Sequence, residues 1–169
     1  MDRIYIDFIE EHSPASERIL ESSYYKKLMD YPRHGTTNTF DHCVRVAVCM
    51  IWLSSKLNLN VDSAVKTGLL HDLCFVDYLG KHDHPGIYCF YHPEEAADNA
   101  IREFGLTRTE ERAIRSHMFP LSVHVPSSRL ALTLTLADKM TALYEVLFVS
   151  KAVHQALGRM ATKRTVFAM

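Results

Sequence analysis

Residues 61–73 read VDSAVKTGLLHDL. Ala64, Gly68 and His71 fall at i, i+4 and i+7, so they share one face of a helix that Asp62 is placed to cap and that extends through residue 73. Gly68 costs such a helix about 1 kcal/mol relative to alanine, and the close approach of another helix beside His71 is the expected compensation. His71 and Asp72 therefore stand side by side at the end of an apolar helix, where polar side chains need partners.

Helical punctuation continues on both sides of this stretch. Upstream, Thr39 is placed to cap a helix reaching about residue 57, with Val44, Ala47, Val48 and Ile51 at helical spacing. It is apolar on nearly all sides, which places it at the centre of a bundle. Before it, Ser13 and Pro14 open a helix expected to run to about residue 30, where Tyr31-Pro32 stops it. Downstream lies a loop of turn formers and aromatics, residues 78–91. His92 before Pro93, Glu94 and Glu95 then marks a helix start, with Ala96, Ala97, Ala100, Ile101 and Phe104 as its buried stripe and Gly105 as its stop. Thr107 and Glu110 form a capping box for a helix carrying Ala113, Ile114 and His117. Ser127 is placed to cap a last helix to about residue 149, with Ala131, Leu134, Asp138, Thr141 and Ala142 sharing a face. Alternating strand-like runs and hairpin turns are missing, so the expected fold class is all-α, a single-domain helical bundle over residues 1–149. A basic tail follows at 150–169, with Lys151, Arg159, Lys163 and Arg164 and no acid.

Composition sets the bounds of function. A chain of 169 residues with 47% hydrophobic and 23% charged residues is an ordinary globular domain. A formal net charge of −1 supplies no broad basic field, so neither nucleic acid nor an acidic membrane is an expected partner, and a small molecule is. The first residues, MDRIYIDFIEEHSP, lack the basic flank and apolar stretch of a secretory signal, and a cytoplasmic location is expected. Cys43, Cys49, Cys74 and Cys89 show neither Cys-x-x-Cys pairing nor framework spacing and are expected to be reduced. Ten histidines against six glycines and six prolines is an excess that asks for a chemical explanation.

His42, His71, Asp72, His117 and Asp138 all fall on faces expected to be buried. A single histidine on an apolar face is usually a hydrogen-bonded core residue, and none of these argues alone. Together they set an energetic problem, because each buried polar group without a partner costs about 1–3 kcal/mol and a bare carboxylate costs more. A divalent cation satisfies the whole cluster at once.

In their order and local strings, TFDHCVRVA around His42, GLLHDL around His71 and Asp72, and LADK around Asp138, these residues resemble the HD-domain superfamily of metal-dependent phosphohydrolases. The resemblance covers roughly residues 36–147. It implies a helical bundle in which His42, His71, Asp72 and Asp138 bind one metal. His92 in YHPEEAA and His117 in IRSHMFP lie between the doublet and the last aspartate, which resembles the two-metal branch. There they would bind a second ion, with Asp72 bridging both. The pattern is similar to that of bacterial hydrolases of symmetric dinucleoside tetraphosphates, and it lacks the paired histidines and Gly-Tyr-Pro segment of the cyclic dinucleotide phosphodiesterases. The implied cofactors are two divalent transition metal ions per chain, drawn from iron, manganese, zinc, nickel or cobalt, with a nucleotide or other small phosphorylated compound as substrate.

Paired cations lower the pKa of bound water to about 7 and clamp a phosphoryl group between them, so Asp72 is the expected catalytic residue. Arg45, three residues after His42, is placed to hold a phosphate, with Lys139 beside Asp138 and His34 in the segment RHGTTNT as further substrate-binding candidates. Ordinary surface salt bridges are the alternative for Arg45 and Lys139. Asp77 as a general acid, His82 and His84 as substrate contacts, and Tyr78, Tyr88, Phe90 and Tyr91 as stacking residues are further candidates, each with a solvated or core-packing alternative. Two other functions remain open: a one-metal nucleotidase using His42, His71, Asp72 and Asp138, and a non-catalytic module that senses a metal or nucleotide. A homo-oligomer is compatible with all of them.

Overall fold

The structure, a computed structural model, describes residues 3–33, 37–76 and 87–149. His34, Asp77, Tyr78, His82, His84 and the tail 150–169 lie outside the described residues. Eight α-helices are present among those described: α1 Arg3–His12, α2 Glu17–Leu20, α3 Ser23–Lys26, α4 Thr39–Leu57, α5 Val61–Leu70, α6 Tyr88–Phe104, α7 Arg108–Ser116 and α8 Arg129–Tyr144. A π-turn over Glu145–Val149 extends α8. The architecture is all-α, and the one bridged pair among these residues is Pro32 with Asn38.

Helix α4 is the axis of the bundle, as its apolar circumference requires. It buries Val44, Ala47, Met50 and Ile51, and packs against α5, α8 and α1. Its closest neighbour is α5, and Gly68 is the reason. A Cβ there would lie 2.8 Å from the Ala47 Cα, so only glycine lets the two backbones meet and brings the end of α5 beside His42. Helices α6 and α7 form a hairpin across Gly105, whose φ of +67° ends α6, and α7 packs on α8. The Thr107 and Glu110 box caps α7.

Several local expectations shift in register. The cap of α4 is Asn38, whose side chain accepts from the Asp41 N–H, because Thr39 is bonded to the Tyr31 carbonyl instead. Asn60 caps α5, while Asp62 accepts from the Ser13 hydroxyl; Ser128, not Ser127, caps α8. Residues 13–30 form a run of short turns and not a continuous helix, because Ser22 leaves the helical region and caps α3. The helix carrying His92 begins a turn earlier than its proline signals, at Tyr88, with Pro93 inside it. Ile101 is exposed, and the buried face of α6 carries Asn99, which donates to the Leu73 carbonyl. Helix α1, whose Ile9 is buried, is not marked by any cap in the sequence. All four cysteines are free thiols.

Candidate metal centre

Four histidines turn the same ring edge inward. The Nδ1 of His42 on α4 lies 2.9 Å from Glu145 Oε2, and that of His71, at the end of α5, 2.9 Å from the Gly68 carbonyl. His92 on α6 places Nδ1 2.7 Å from the Tyr88 carbonyl, and His117, at the end of α7, 2.7 Å from the Ile114 carbonyl. Carbonyl and carboxylate oxygens only accept, so Nδ1 donates in all four rings, and Nε2 is the nitrogen each ring has to offer a metal ion. Such outer bonds fix both tautomer and ring orientation in metal-ligating histidines.

The four Nε2 atoms converge on Asp72, which is wholly buried. Its Oδ2 lies 3.2 Å from His71 Nε2 and 3.8 Å from His42 Nε2. Its Oδ1 lies 3.2 Å from His92 Nε2 and 3.5 Å from His117 Nε2. The carboxylate is thus divided, one oxygen to each pair of rings. Asp138 joins the first pair, with Oδ1 3.1 Å from His42 Nε2 and 3.7 Å from His71 Nε2. Two trios, His42, His71 and Asp72, and Asp72, His92 and His117, are each compact enough to hold a metal ion.

The chemistry of this donor set fits cations. Asp72 Oδ1 and His71 Nε2 have no hydrogen-bond partner, and Asp72 Oδ2 is met by the Arg33 guanidinium. The Nε2 atoms of His92 and His117 face each other 3.2 Å apart. A buried set with so many ligand atoms and so few donors is costly, and a divalent ion at each trio would satisfy it. His71 and His117 also close the C-terminal ends of α5 and α7, where the helix dipole favours positive charge.

The ionisation of the centre follows from the same packing. Burial alone would raise the Asp72 pKa, but Arg33 and His71 outweigh it and hold the carboxyl well below its ordinary value. Asp138 is likewise held low, its burial overcome by His42 and His71. Burial opposes charge on His42 and on His71, yet the surrounding carboxylates lift both. His117 moves down, because burial is joined by the neighbouring His71 and His92. The carboxylates are ionised, and the site as a whole attracts positive charge.

Two contributors went unmarked in the sequence. Glu145 is fully buried and bonds His42 through one oxygen and Arg45 Nη1, at 2.8 Å, through the other. Its signal was its position seven residues after Asp138, on the same helical face. Arg33, the residue before the His34 candidate, is buried, pairs with Asp72 Oδ2 and donates from Nη1 to the Tyr88 hydroxyl at 2.8 Å. No periodic pattern marks it. The Tyr88 ring also stacks on His92, with centroids 4.2 Å apart.

His42, His71, Asp72, His92, His117 and Asp138 are brought together. Lys139 donates to the His117 carbonyl at 3.1 Å and lines a cavity of about 250 Å³ with Arg33, Tyr88, His92 and Asp138. Arg45 is placed elsewhere. It is spent on Glu145 and lines a separate groove with Tyr5, Phe8 and Trp52, because three residues along α4 carry it past His42 and away from that cavity.

The HD domain family matches residues 39–143, more than half of the chain. Neither a curated protein nor a solved structure matches it. No described helix is long and apolar enough to cross a membrane. With that match spanning α4 to α8, and a buried histidine and aspartate centre able to hold a metal ion, the chain belongs to the HD-domain family of metal-dependent phosphohydrolases.

Proposed function

We propose that this protein hydrolyses a small phosphate ester or anhydride, with nucleotides as the substrate class, at a centre holding two divalent cations. The observation that carries this reading is the division of Asp72, each of whose oxygens faces its own pair of Nε2 atoms. A one-ion site would need no convergence of His92 and His117. The likeness in ligand pattern to hydrolases of symmetric dinucleoside tetraphosphates belongs to the same proposal, as do a catalytic domain over residues 1–149, a cytoplasmic setting and transition metals as the ions.

When bound, the two cations supply Lewis acidity toward phosphoryl oxygens and make water a usable nucleophile near neutral pH. The rest is work for the chain's own residues. Asp72 fixes the separation of the two ligand trios. The Gly68, Tyr88 and Ile114 carbonyls and Glu145 lock the four rings with Nε2 inward. Asp138 adds a fourth ligand to the first trio and leaves Lys139, the next residue, at the cavity wall. Burial of the ligands keeps bulk water from competing for the centre.

The test compares metal-stripped and manganese-reloaded protein on a panel of nucleoside phosphates and dinucleoside polyphosphates. Hydrolysis is expected only after reloading. Asp72→Asn should lower kcat by about a thousandfold or more while the helical circular dichroism is kept, since the lost carboxylate joins the ions and is no part of the apolar core. Full activity in stripped protein would overturn the proposal.

A further inference from the structure

Arg33 is held more firmly than a loop residue needs to be. Its N–H donates to the Thr37 carbonyl at 2.7 Å, and Pro32 bridges Asn38, so its backbone is pinned against the start of α4. Its side chain is 7% exposed, with the guanidinium on Asp72 and on the Tyr88 hydroxyl. It lines the same cavity as His92, Asp138 and Lys139. Burying a guanidinium is expensive, and the plain explanation is that Arg33 neutralises Asp72.

Charge counting, on the two-cation reading above, makes that explanation insufficient. With Nδ1 donating to the protein and Nε2 given to a cation, the four imidazoles would be neutral. Glu145 and Arg45 cancel each other. Two divalent cations against the carboxylates of Asp72 and Asp138 already leave a positive excess, and Arg33 adds to it. A further positive centre paired with the carboxylate that faces both trios is stable only when an anion lies beside it. A planar guanidinium held at a cavity wall matches phosphate oxygens two at a time.

We infer that Arg33 binds the phosphoryl oxygens of the substrate and selects multiply charged groups, a phosphomonoester or the terminal phosphate of an anhydride, over a phosphodiester, which makes nucleoside phosphates better substrates than dinucleoside polyphosphates, whose phosphates each carry a single charge. A diester brings a single negative charge and leaves most of the excess uncompensated. A monoester dianion or terminal anhydride phosphate removes about twice as much of it.

The experiment uses full-length protein reloaded with manganese, as wild type, Arg33→Gln, Arg33→Lys and Tyr88→Phe. Metal per chain, affinity for inorganic phosphate by calorimetry, and kcat/KM for p-nitrophenyl phosphate and bis(p-nitrophenyl) phosphate are measured. Metal content should stay at the wild-type value. Phosphate affinity and monoester kcat/KM should fall by about 10–100-fold in Arg33→Gln, the worth of a charge-assisted hydrogen bond, and by less in Arg33→Lys, which keeps the charge and loses the fork. Tyr88→Phe should move the same readouts in the same direction by a smaller factor, and with Arg33→Lys it carries the comparison if Arg33→Gln does not fold. Diester kcat/KM should fall by a clearly smaller factor than monoester kcat/KM, since the guanidinium meets one negative charge there and not two. Equal losses on both esters, unchanged phosphate affinity, or loss of metal from Arg33→Gln would each overturn the inference and leave Arg33 as the structural partner of Asp72. A wild-type protein that takes up no metal would instead bring down the two-cation reading, and this inference with it.

Discussion

Glu145 has a carboxylate whose two oxygens serve two different masters, His42 Nδ1 at 2.9 Å and Arg45 Nη1 at 2.8 Å. Burial would raise its pKa, but the bonds from His42 and Arg45 prevail and hold it low, so it faces His42 as an anion. An anionic acceptor on Nδ1 makes Nε2 a more basic ligand and fixes its direction, and losing such a partner typically costs 10–100-fold in metal affinity. Glu145→Gln is therefore expected to weaken the first metal site by about that factor while saturating metal still fills it, as read by competition with a chromophoric chelator. Arg45→Ala should shift the same affinity by less and leave KM unchanged, because Arg45 acts through Glu145. Unaltered affinity in Glu145→Gln would show that His42 is oriented by its packing alone. Glu145 lay on the right face in the sequence, seven residues past Asp138, but a glutamate near the end of a helix reads as solvated until its neighbours in space are known.

Helix α7 is short and strongly amphipathic, and it must present His117 accurately from its C-terminal end. Glu110 ties it down at the other end, accepting from the Thr107 N–H at 2.8 Å and from the Ser63 hydroxyl of α5 at 2.8 Å, with Lys66 at 3.4 Å. Burial pushes the Glu110 pKa up, and these partners pull it further down, to a net value below 4.5. A group whose pKa is lower in the folded chain stabilises the fold above its unfolded pKa and loses that contribution as pH falls through the folded one. Glu110→Gln should cost about 1 kcal/mol in urea unfolding at pH 7, the worth of a helix cap, and the gap from wild type should close as pH falls below 4.5. A gap of the same size at pH 3 would mean that the charge plays no part. This element was legible from end to end, because a capping box is local chemistry written within four residues. The start of α6 was not: Pro93 is a strong local signal, yet the helix begins at Tyr88, whose carbonyl and ring are both engaged by His92.

Across the whole molecule, the centre draws on α4, α6, α8 and the ends of α5 and α7, with His42 and Asp138 96 positions apart in the chain. What the sequence disclosed was each ligand's helical face; what it withheld was everything fixed by tertiary contact alone, such as the pairing of Arg33 with a carboxylate on another element. The juxtaposition of His92 and His117 falls between these cases, since a short turn joining α6 to α7 forces a hairpin and brings the start of one helix to the end of the other. Their Nε2 atoms do meet, at 3.2 Å. If this meeting serves a second cation, elemental analysis of folded, reloaded His117→Ala beside wild type detects its loss. About two ions per chain are expected in the wild type and about one in the variant, with the helical fold retained and hydrolysis largely lost. The same metal content in both proteins would contradict that reading.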